Sequence, residues 1–430
     1  MTRNIVGCPV GGVDPEELCD ASPLVMECHR MLIANREVYN LPRKWKICIT
    51  GCKVWCPYPE INDIGMTAAV GRVNGASEIG FNVRVGGGLS TLPHFARKLN
   101  AFVRWNEVPL VVKTITEIFR DADVLRENRE RARMKFLFTH FGWTEEKFEQ
   151  ELERRLGFRL LPAAPEEVPT DTFRDHVGVH PQKQSGYFYV GMSILAGRIT
   201  GDQMLAVADL AERYGDGTIR TTNTQNMVLL NVPERNLETL RRELNRIGLL
   251  TDASPFRRGA IACTGKQFCK LSLTETKNVT MEIVAHLQTA IPEFDTDIKI
   301  HVTGCPNSCG QHWIADIGLQ GGMAKLNGKP VEAYDFYVGG GTGKHATFTR
   351  RLKYKAPLPQ VKFAVERLCR AYLAHRQEGE SFHAFCQRHS DEELVAFLQG
   401  DTPTEELVPI PAEVVNPLHG QRQAQQLIPE

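Results

Sequence analysis

Residues 300–309 read IHVTGCPNSC, and residues 47–56 read ICITGCKVWC. In each, an apolar β-like run ends in Thr-Gly-Cys, with a second cysteine four positions on. The likeness continues downstream. NDIGMTAAV from Asn62 is echoed by ADIGLQGGM from Ala315, and FNVRVGGGLS from Phe81 by YDFYVGGGTG from Tyr334. All three pairs share one offset of 253 residues, taken from Cys52 to Cys305, Asp63 to Asp316 or Val85 to Val338. A constant offset kept over about forty residues marks a duplicated unit, so the chain holds two related halves.

Each half alternates short β-like runs with Gly-rich turns and helical stretches. The segment from Leu125 to Leu156 carries a charged face with apolar periodicity and predicts helix. Between the halves lies a different unit: GYFYVGMSILAGRIT, GDQMLAVADLAERYG, TIRTTNTQNMVLLNV and ERNLETLRRELNRIG read as strand, helix, strand, helix. That βαβα order suits half of a ferredoxin-like sheet, which needs a companion half. The expected fold is α+β, two repeated α/β halves flanking a ferredoxin-like half-domain. The boundaries fall at 1–170, 171–255 and 256–400, with a proline-rich, extended tail over 401–430.

Composition excludes several classes. At 430 residues the chain has room for two or three domains. Lys+Arg and Asp+Glu are 51 each, which gives no sign of nucleic-acid binding. No apolar run approaches a membrane span, and the start, MTRNIVGCPVGGVDPEEL, lacks the apolar core of a signal peptide. A cytoplasmic, reducing location follows as the expectation. There, clustered cysteines point to metal binding or redox chemistry rather than disulfides.

The twelve cysteines are uneven, with none between 57 and 262. Cys263 and Cys269 form C-x5-C; after a gap of 35 residues, Cys305 and Cys309 form C-x3-C. Four thiolates from two loops can hold Zn²⁺ or a [4Fe–4S] cubane. Structural zinc sites favour the tighter C-x2-C knuckle, so these wider spacings suit the cubane. Gly265, Gly304 and Gly310 let backbone approach the sulfurs. Buried filler is the rival reading, since free cysteine is often buried. Two spaced pairs within 47 residues argue against it.

The motifs ACTGKQFCKLSLTETK (262–277) and HVTGCPNSCGQHWIADIGLQG (301–321) resemble those of the sirohaem-containing nitrite and sulfite reductases. So do NLPRKWK (40–46), RNIVGCPVGGVDP (3–15) and GVHPQKQSGYFYVG (178–191). The resemblance runs from Arg3 to about residue 399 and implies a [4Fe–4S] cluster on Cys263, Cys269, Cys305 and Cys309. It also implies that Cys309 bridges to the sirohaem iron, and that Asn307 packs against the macrocycle. Six-electron reduction of an anion also needs protons and several cations around the bound anion. The resemblance gives those roles to Arg3, Lys44 and Lys46, and pairs Lys183 with a sirohaem carboxylate. Alternation in a strand would put Lys44 and Lys46 on one side and Trp45 on the other. Arg43, Arg129 and Arg133 are further carboxylate-binding candidates.

The nitrite-reducing branch is favoured by CTGKQFC, ETK and GCPNSCGQ…ADIG. Lys46 argues for sulfite, the dianion, because plant-type nitrite reductases tend to have asparagine there. No flavin or nicotinamide motif is present, which implies a separate ferredoxin-like electron donor. Two rivals of other classes are a tetrapyrrole-modifying oxygenase of cobalamin synthesis, sharing fold and cluster motif, and a non-catalytic or partial subunit. The anion-binding set Arg3, Lys44 and Lys46 argues against the oxygenase.

Two departures from the family pattern stand out. Family members usually begin with a further stretch holding the first ferredoxin-like half, whereas this sequence starts at Met1-Thr2-Arg3. The expectation is that upstream sequence or another chain supplies that half, or that the product is defective, and that the lone chain is poorly soluble or inactive. In addition, Cys52 and Cys56 occupy the repeat positions of Cys305 and Cys309 without a matching C-x5-C. Only Cys8 and Asp14 stand where it would be, so a vestigial, cluster-free site is expected there. Cys19, Cys28, Cys48, Cys369 and Cys386 read as structural.

Overall fold

The strand that carries Lys46 is built for an interior. In a computed structural model describing residues 2–33, 35–400, 407–411 and 415, WKICIT forms β2 (Trp45–Thr50), and every residue but Lys46 is buried. It lies between parallel neighbours β1 (Thr2–Val6) and β3 (Ile64–Val73). A central parallel strand is covered on both faces, which is why it reads as a nearly continuous apolar run. β4 (Ala76–Val85) and β5 (Arg97–Arg104) extend the five-stranded sheet antiparallel, in the order β1-β2-β3-β4-β5. Asn74 and Gly75 close the β3–β4 hairpin with φ of 51° and 85°, the two left-handed residues of a type I′ turn. On one face packs the helix Val108–Asp121, whose Val108, Val111, Val112, Ile115 and Phe119 are buried at helical spacing.

The intervening segment forms β6 (Gly178–Pro181), β7 (Tyr187–Met192), β8 (Ile219–Thr221) and β9 (Met227–Pro233), ordered β6-β7-β9-β8. The helices Gly201–Tyr214 and Leu237–Arg246 supply Val207, Leu210, Leu240 and Leu244 to its core. Thr200 and Gln203 cap the first of these helices reciprocally.

The second repeat reproduces the first. β10 (Ala260–Ala262), β11 (Ile300–Thr303), β12 (Ile317–Leu326), β13 (Lys329–Val338) and β14 (Arg350–Pro357) follow the same order and the same parallel-to-antiparallel switch. The last three strands begin and end at their counterparts plus the offset read from the sequence. Backbone detail is shared too. Left-handed Trp55, Tyr58, Asn74 and Gly86 recur as Ser308, Gln311, Asn327 and Gly339. Asp63 accepts the Lys46 amide at 2.8 Å, and Asp316 accepts the Lys299 amide at 2.8 Å. The chain is therefore mixed α+β with a true internal repeat.

Of the tail, Leu407–Ile410 forms β15, antiparallel to the stretch of β12 beyond the end of β11. The expected extended tail otherwise lies almost wholly outside the described residues. By contact density the chain divides into two units. One comprises Met1–Gly88, Leu92–Arg174 and His180–Tyr189; the other comprises Leu89–Thr91, Asp175–Val179 and Val190–Glu430. Among the described residues, no helix is long and apolar enough to cross a membrane.

One core feature has no sequence signature. Lys135, in the short helix Lys135–Thr139, is only 2% exposed, and its ammonium donates to the Leu92 carbonyl. Burial, helped by the Arg133 charge, pulls its pKa down to about 7. An unfolded lysine titrates near about 10.4, so between these values the unfolded chain holds more protons and stability rises with pH. Below about pH 7 the charge must be carried inside, at full cost. Lys135→Met is therefore expected to raise the melting temperature most at or below neutral pH, the gain shrinking as pH approaches about 10. A gain that is flat across that range would show that the lysine is not a buried cation.

Candidate functional site

Parallel pairing of β10 with β11 sends both strands out of the sheet at one end, and each leads into a cysteine loop. Cys263 directly follows Ala262; Gly304 and Cys305 directly follow Thr303. The Cys263 amide donates to the Val302 carbonyl at 3.0 Å, which ties the two loops together at their bases. Polar donors face sulfur, among them the Gly304 amide to Cys263 Sγ at 3.3 Å and Asn307 Nδ2 to Cys305 Sγ at 3.4 Å. A Cβ at Gly304 would meet Ser272 Oγ at 1.9 Å, so only glycine fits where the loops cross. The Cys269 amide closes its own turn on the Gly265 carbonyl at 3.0 Å.

The thiols differ in exposure. Cys305 is buried, Cys263 and Cys269 are half-buried, and Cys309 is exposed. Burial pushes the Cys305 thiol up to about 11, against the lowering pull of its Asn307 hydrogen bonds. A thiolate there needs cationic charge beside it, as bound iron provides. N–H donors facing sulfur and glycine-permitted close approach are the surroundings an iron–sulfur ligand set requires. On this evidence the residues fit a [4Fe–4S] cluster.

One residue that sequence reading passed over supports this loop. Gln225, left-handed at φ 63°, donates Nε2 to the Ala262 carbonyl at 2.8 Å and accepts the Ala262 amide at 3.0 Å. β10 is an edge strand of its sheet, and this side chain satisfies its open edge immediately before Cys263. Gln225 is thus a positioning residue, 37 residues from its partner, with no motif of its own.

Of the candidate anion-binding cations, Arg3 belongs to β1, Lys46 to β2, and Lys44 directly precedes β2. Trp45 turns inward, stacked on Phe119 with centroids 4.5 Å apart, its Nε1 donating to Thr116 Oγ1 at 3.1 Å. The flanking Lys44 is exposed and Lys46 half-buried, as strand alternation requires. Parallel register sets Asn4 beside Lys46 and Thr2 beside Trp45, so Arg3 lies on the neighbouring strand; its side chain is outside the described residues. Beneath Lys46, buried Asp63 accepts from Arg133 Nε and Nη2 at 3.1 and 2.9 Å. Arg133 is consequently a buried anchor for the strand that carries Lys46. Lys183 Nζ pairs with the Glu17 carboxylate at 2.8 Å.

The first-repeat cysteines are not scattered. Cys56 and Cys8 have their sulfurs 3.6 Å apart, and Asp14 joins Cys8 and Cys52 in a group whose ligand atoms lie within 4.8 Å of one another. The expectation of a vestigial site rested on spacing alone. The fold brings these residues together nonetheless.

Comparison with known proteins agrees with the repeat. Residues 1–160 and 254–399 match the family described as "Nitrite and sulphite reductase 4Fe-4S domain", and residues 180–247 match "Nitrite/Sulfite reductase ferredoxin-like half domain". The chain is 38% identical over 412 residues to an assimilatory ferredoxin-dependent nitrite reductase of Haloferax mediterranei, covering 92% of this chain and 70% of that one. It is 37% identical over 398 residues to a sulfite reductase [ferredoxin] of Mycolicibacterium paratuberculosis, covering 91% and 70%. The solved structure of the Mycobacterium tuberculosis NirA protein superposes with a TM-score of 0.86 at 35% identity, covering 91% of this chain and 71% of that one.

Proposed function

Because the chain belongs to the nitrite and sulfite reductase family and carries its 4Fe-4S domain, we propose that it reduces nitrite to ammonium. Nitrite takes up six electrons and eight protons and leaves as ammonium and two waters. In this reading Cys263, Cys269, Cys305 and Cys309 would hold a [4Fe–4S] cluster, with Cys309, the exposed sulfur, the one that would couple it to the sirohaem. Asn307, whose side-chain amide donates to the Cys305 sulfur, would pack against the macrocycle. The coupled pair supplies one-electron redox chemistry that no side chain can provide. Arg3, Lys44 and Lys46 hold the anion, and the two lysines hand over protons from their ammonium groups or through ordered water. A role for Lys183 toward a sirohaem carboxylate requires it to exchange its Glu17 partner.

The observation that carries this reading is the pairing of the β10 and β11 loops, which places sulfur-directed N–H donors at Cys263 and Cys305. The donor of electrons is a ferredoxin, the class for which the relatives are named. A docking face for it is supported by Phe268, 74% exposed between Cys263 and Cys269, with Lys266 and Lys270 on either side. Sulfite, reduced to sulfide by the same parts, is the second reading, favoured by the additional cation Lys46. The test is turnover of the loaded protein under dithionite-reduced viologen with each anion. Nitrite is expected to be the faster substrate with ammonium as product, and Lys46→Asn to slow sulfite more than nitrite. Faster sulfite turnover by the unmodified protein would overturn the assignment.

A further inference from the structure

The first repeat holds a sulfur group that the reading above does not use. Cys8 leaves β1 two residues after Val6, and Cys52 and Cys56 follow β2. Since β1 and β2 are parallel, both loops emerge at one end of the sheet, as the loops of β10 and β11 do in the second repeat. There the Cys8 and Cys56 sulfurs stand 3.6 Å apart, and Cys8, Cys52 and an Asp14 carboxylate oxygen lie within 4.8 Å of one another. The Cys52 thiol hydrogen-bonds with both Cys8 and Cys56. Cys52, Cys56 and Asp14 are 3%, 2% and 1% exposed. We propose that Cys8, Asp14, Cys52 and Cys56 form a mononuclear tetrahedral site for a thiophilic divalent ion of the zinc class.

Four observations support it. The Cys8–Cys56 spacing suits one ion: their 3.6 Å is close to the roughly 3.8 Å that zinc–sulfur bonds of about 2.3 Å put between neighbouring sulfurs in a tetrahedron. A disulfide would need about 2.05 Å, and an iron–sulfur cubane interposes several atoms between its thiolates. The sulfurs are furnished as ligands: the Val54 and Cys56 amides donate to Cys52, and the Val10 amide donates to Cys8. The carboxylate is oriented from outside the group. Arg174 donates to Asp14, the Glu16 amide donates to Asp14 Oδ1 at 3.1 Å, and Arg174 also reaches the Tyr189 hydroxyl at 3.1 Å. Charge is tolerable as well. Three thiolates, one carboxylate, one divalent ion and Arg174 sum to a single negative charge, less than a four-thiolate zinc site carries.

The test uses the full-length chain with its cluster loaded, prepared under reducing conditions with zinc, or cobalt(II) as a spectroscopic stand-in. About one zinc per chain is expected beyond the cluster iron, and cobalt should give the intense visible bands of a tetrahedral thiolate site. Both should be lost in Cys52→Ser and Cys56→Ser and kept in Cys305→Ser. Because serine at a buried position can unfold the domain, Asp14→Asn is the milder probe. It should stay folded and lose metal affinity by at least about tenfold in chelator competition. Zinc that follows Cys305 instead of Cys52 would overturn the assignment. So would a metal-free wild-type chain, whether its thiols are free or mass spectrometry finds Cys8 joined to Cys56. None of these outcomes bears on nitrite turnover, so the two readings fail independently.

Discussion

Cys309→Ser is expected to leave a folded protein that has lost turnover by more than about a hundredfold, the scale that outer-ligand losses alone can reach at a metal. Cys309 is the exposed member of its set, so the substitution removes little packing. The loop is held by other contacts. Left-handed Ser308 and Gln311 set its course. Next to it, His312, Trp313 and Tyr337 pack ring against ring, and Trp313 Nε1 donates to the Ser90 carbonyl at 2.7 Å. A serine oxygen is a poorer iron ligand than a thiolate and does not ionise near neutral pH. Absorbance and paramagnetic resonance should show the two cofactors uncoupled, with less iron per chain. That spectral change separates a ligand from a merely structural cysteine, and Cys369→Ser, in a helix core, should not produce it. A Cys309→Ser protein with full iron content and an unchanged coupled spectrum would remove Cys309 from the bridge.

Much of this was legible because the duplication wrote the same fold twice. The shared offset alone places β3 to β5 and β12 to β14 residue for residue, and NLPRKWK already alternates cation, indole, cation as β2 requires. What the sequence hides are partners distant along the chain. Arg133 lies 70 residues from Asp63 and Gln225 lies 37 from Ala262, neither within a motif. Lys183 is a motif residue, yet its distant ion-pair partner Glu17 is visible only in the fold. The group around Cys8 is the sharpest case. Spacing suggested a remnant because Asp14 stands where a cysteine would be expected. Convergence of two parallel-strand loops brings the Cys8 and Cys56 sulfurs together and gathers Cys8, Cys52 and Asp14 into one group.

Asp63→Ala is expected to destabilise the protein by about 3–5 kcal/mol, the cost of removing one partner from a buried ion pair. Asp63 is fully buried and Arg133 nearly so. Its Oδ1 takes two guanidinium hydrogen bonds, its Oδ2 takes the Lys46 amide at 2.8 Å, and its own carbonyl takes the Gly86 amide at 2.9 Å. Alanine would leave a guanidinium charge and a strand amide without the carboxylate that satisfies them, at the point where β2 begins. Asp63→Asn keeps an acceptor for the amide but not the charge, so its cost should fall between those of wild type and alanine. The repeat supplies an internal control. Asp316 accepts the Lys299 amide in the same way, but its ion partner is Lys299 itself, with Nζ at 3.8 Å instead of two guanidinium hydrogen bonds. Asp316→Ala should therefore cost less than Asp63→Ala in the same urea titration. Because Asp63 also fixes the backbone under Lys46, whatever Asp63→Ala protein remains folded should show a raised KM for the anion. A loss below about 1 kcal/mol would mean that Arg133 reaches water or another acceptor once the carboxylate is gone, and that the pair does not anchor the cation-bearing strand.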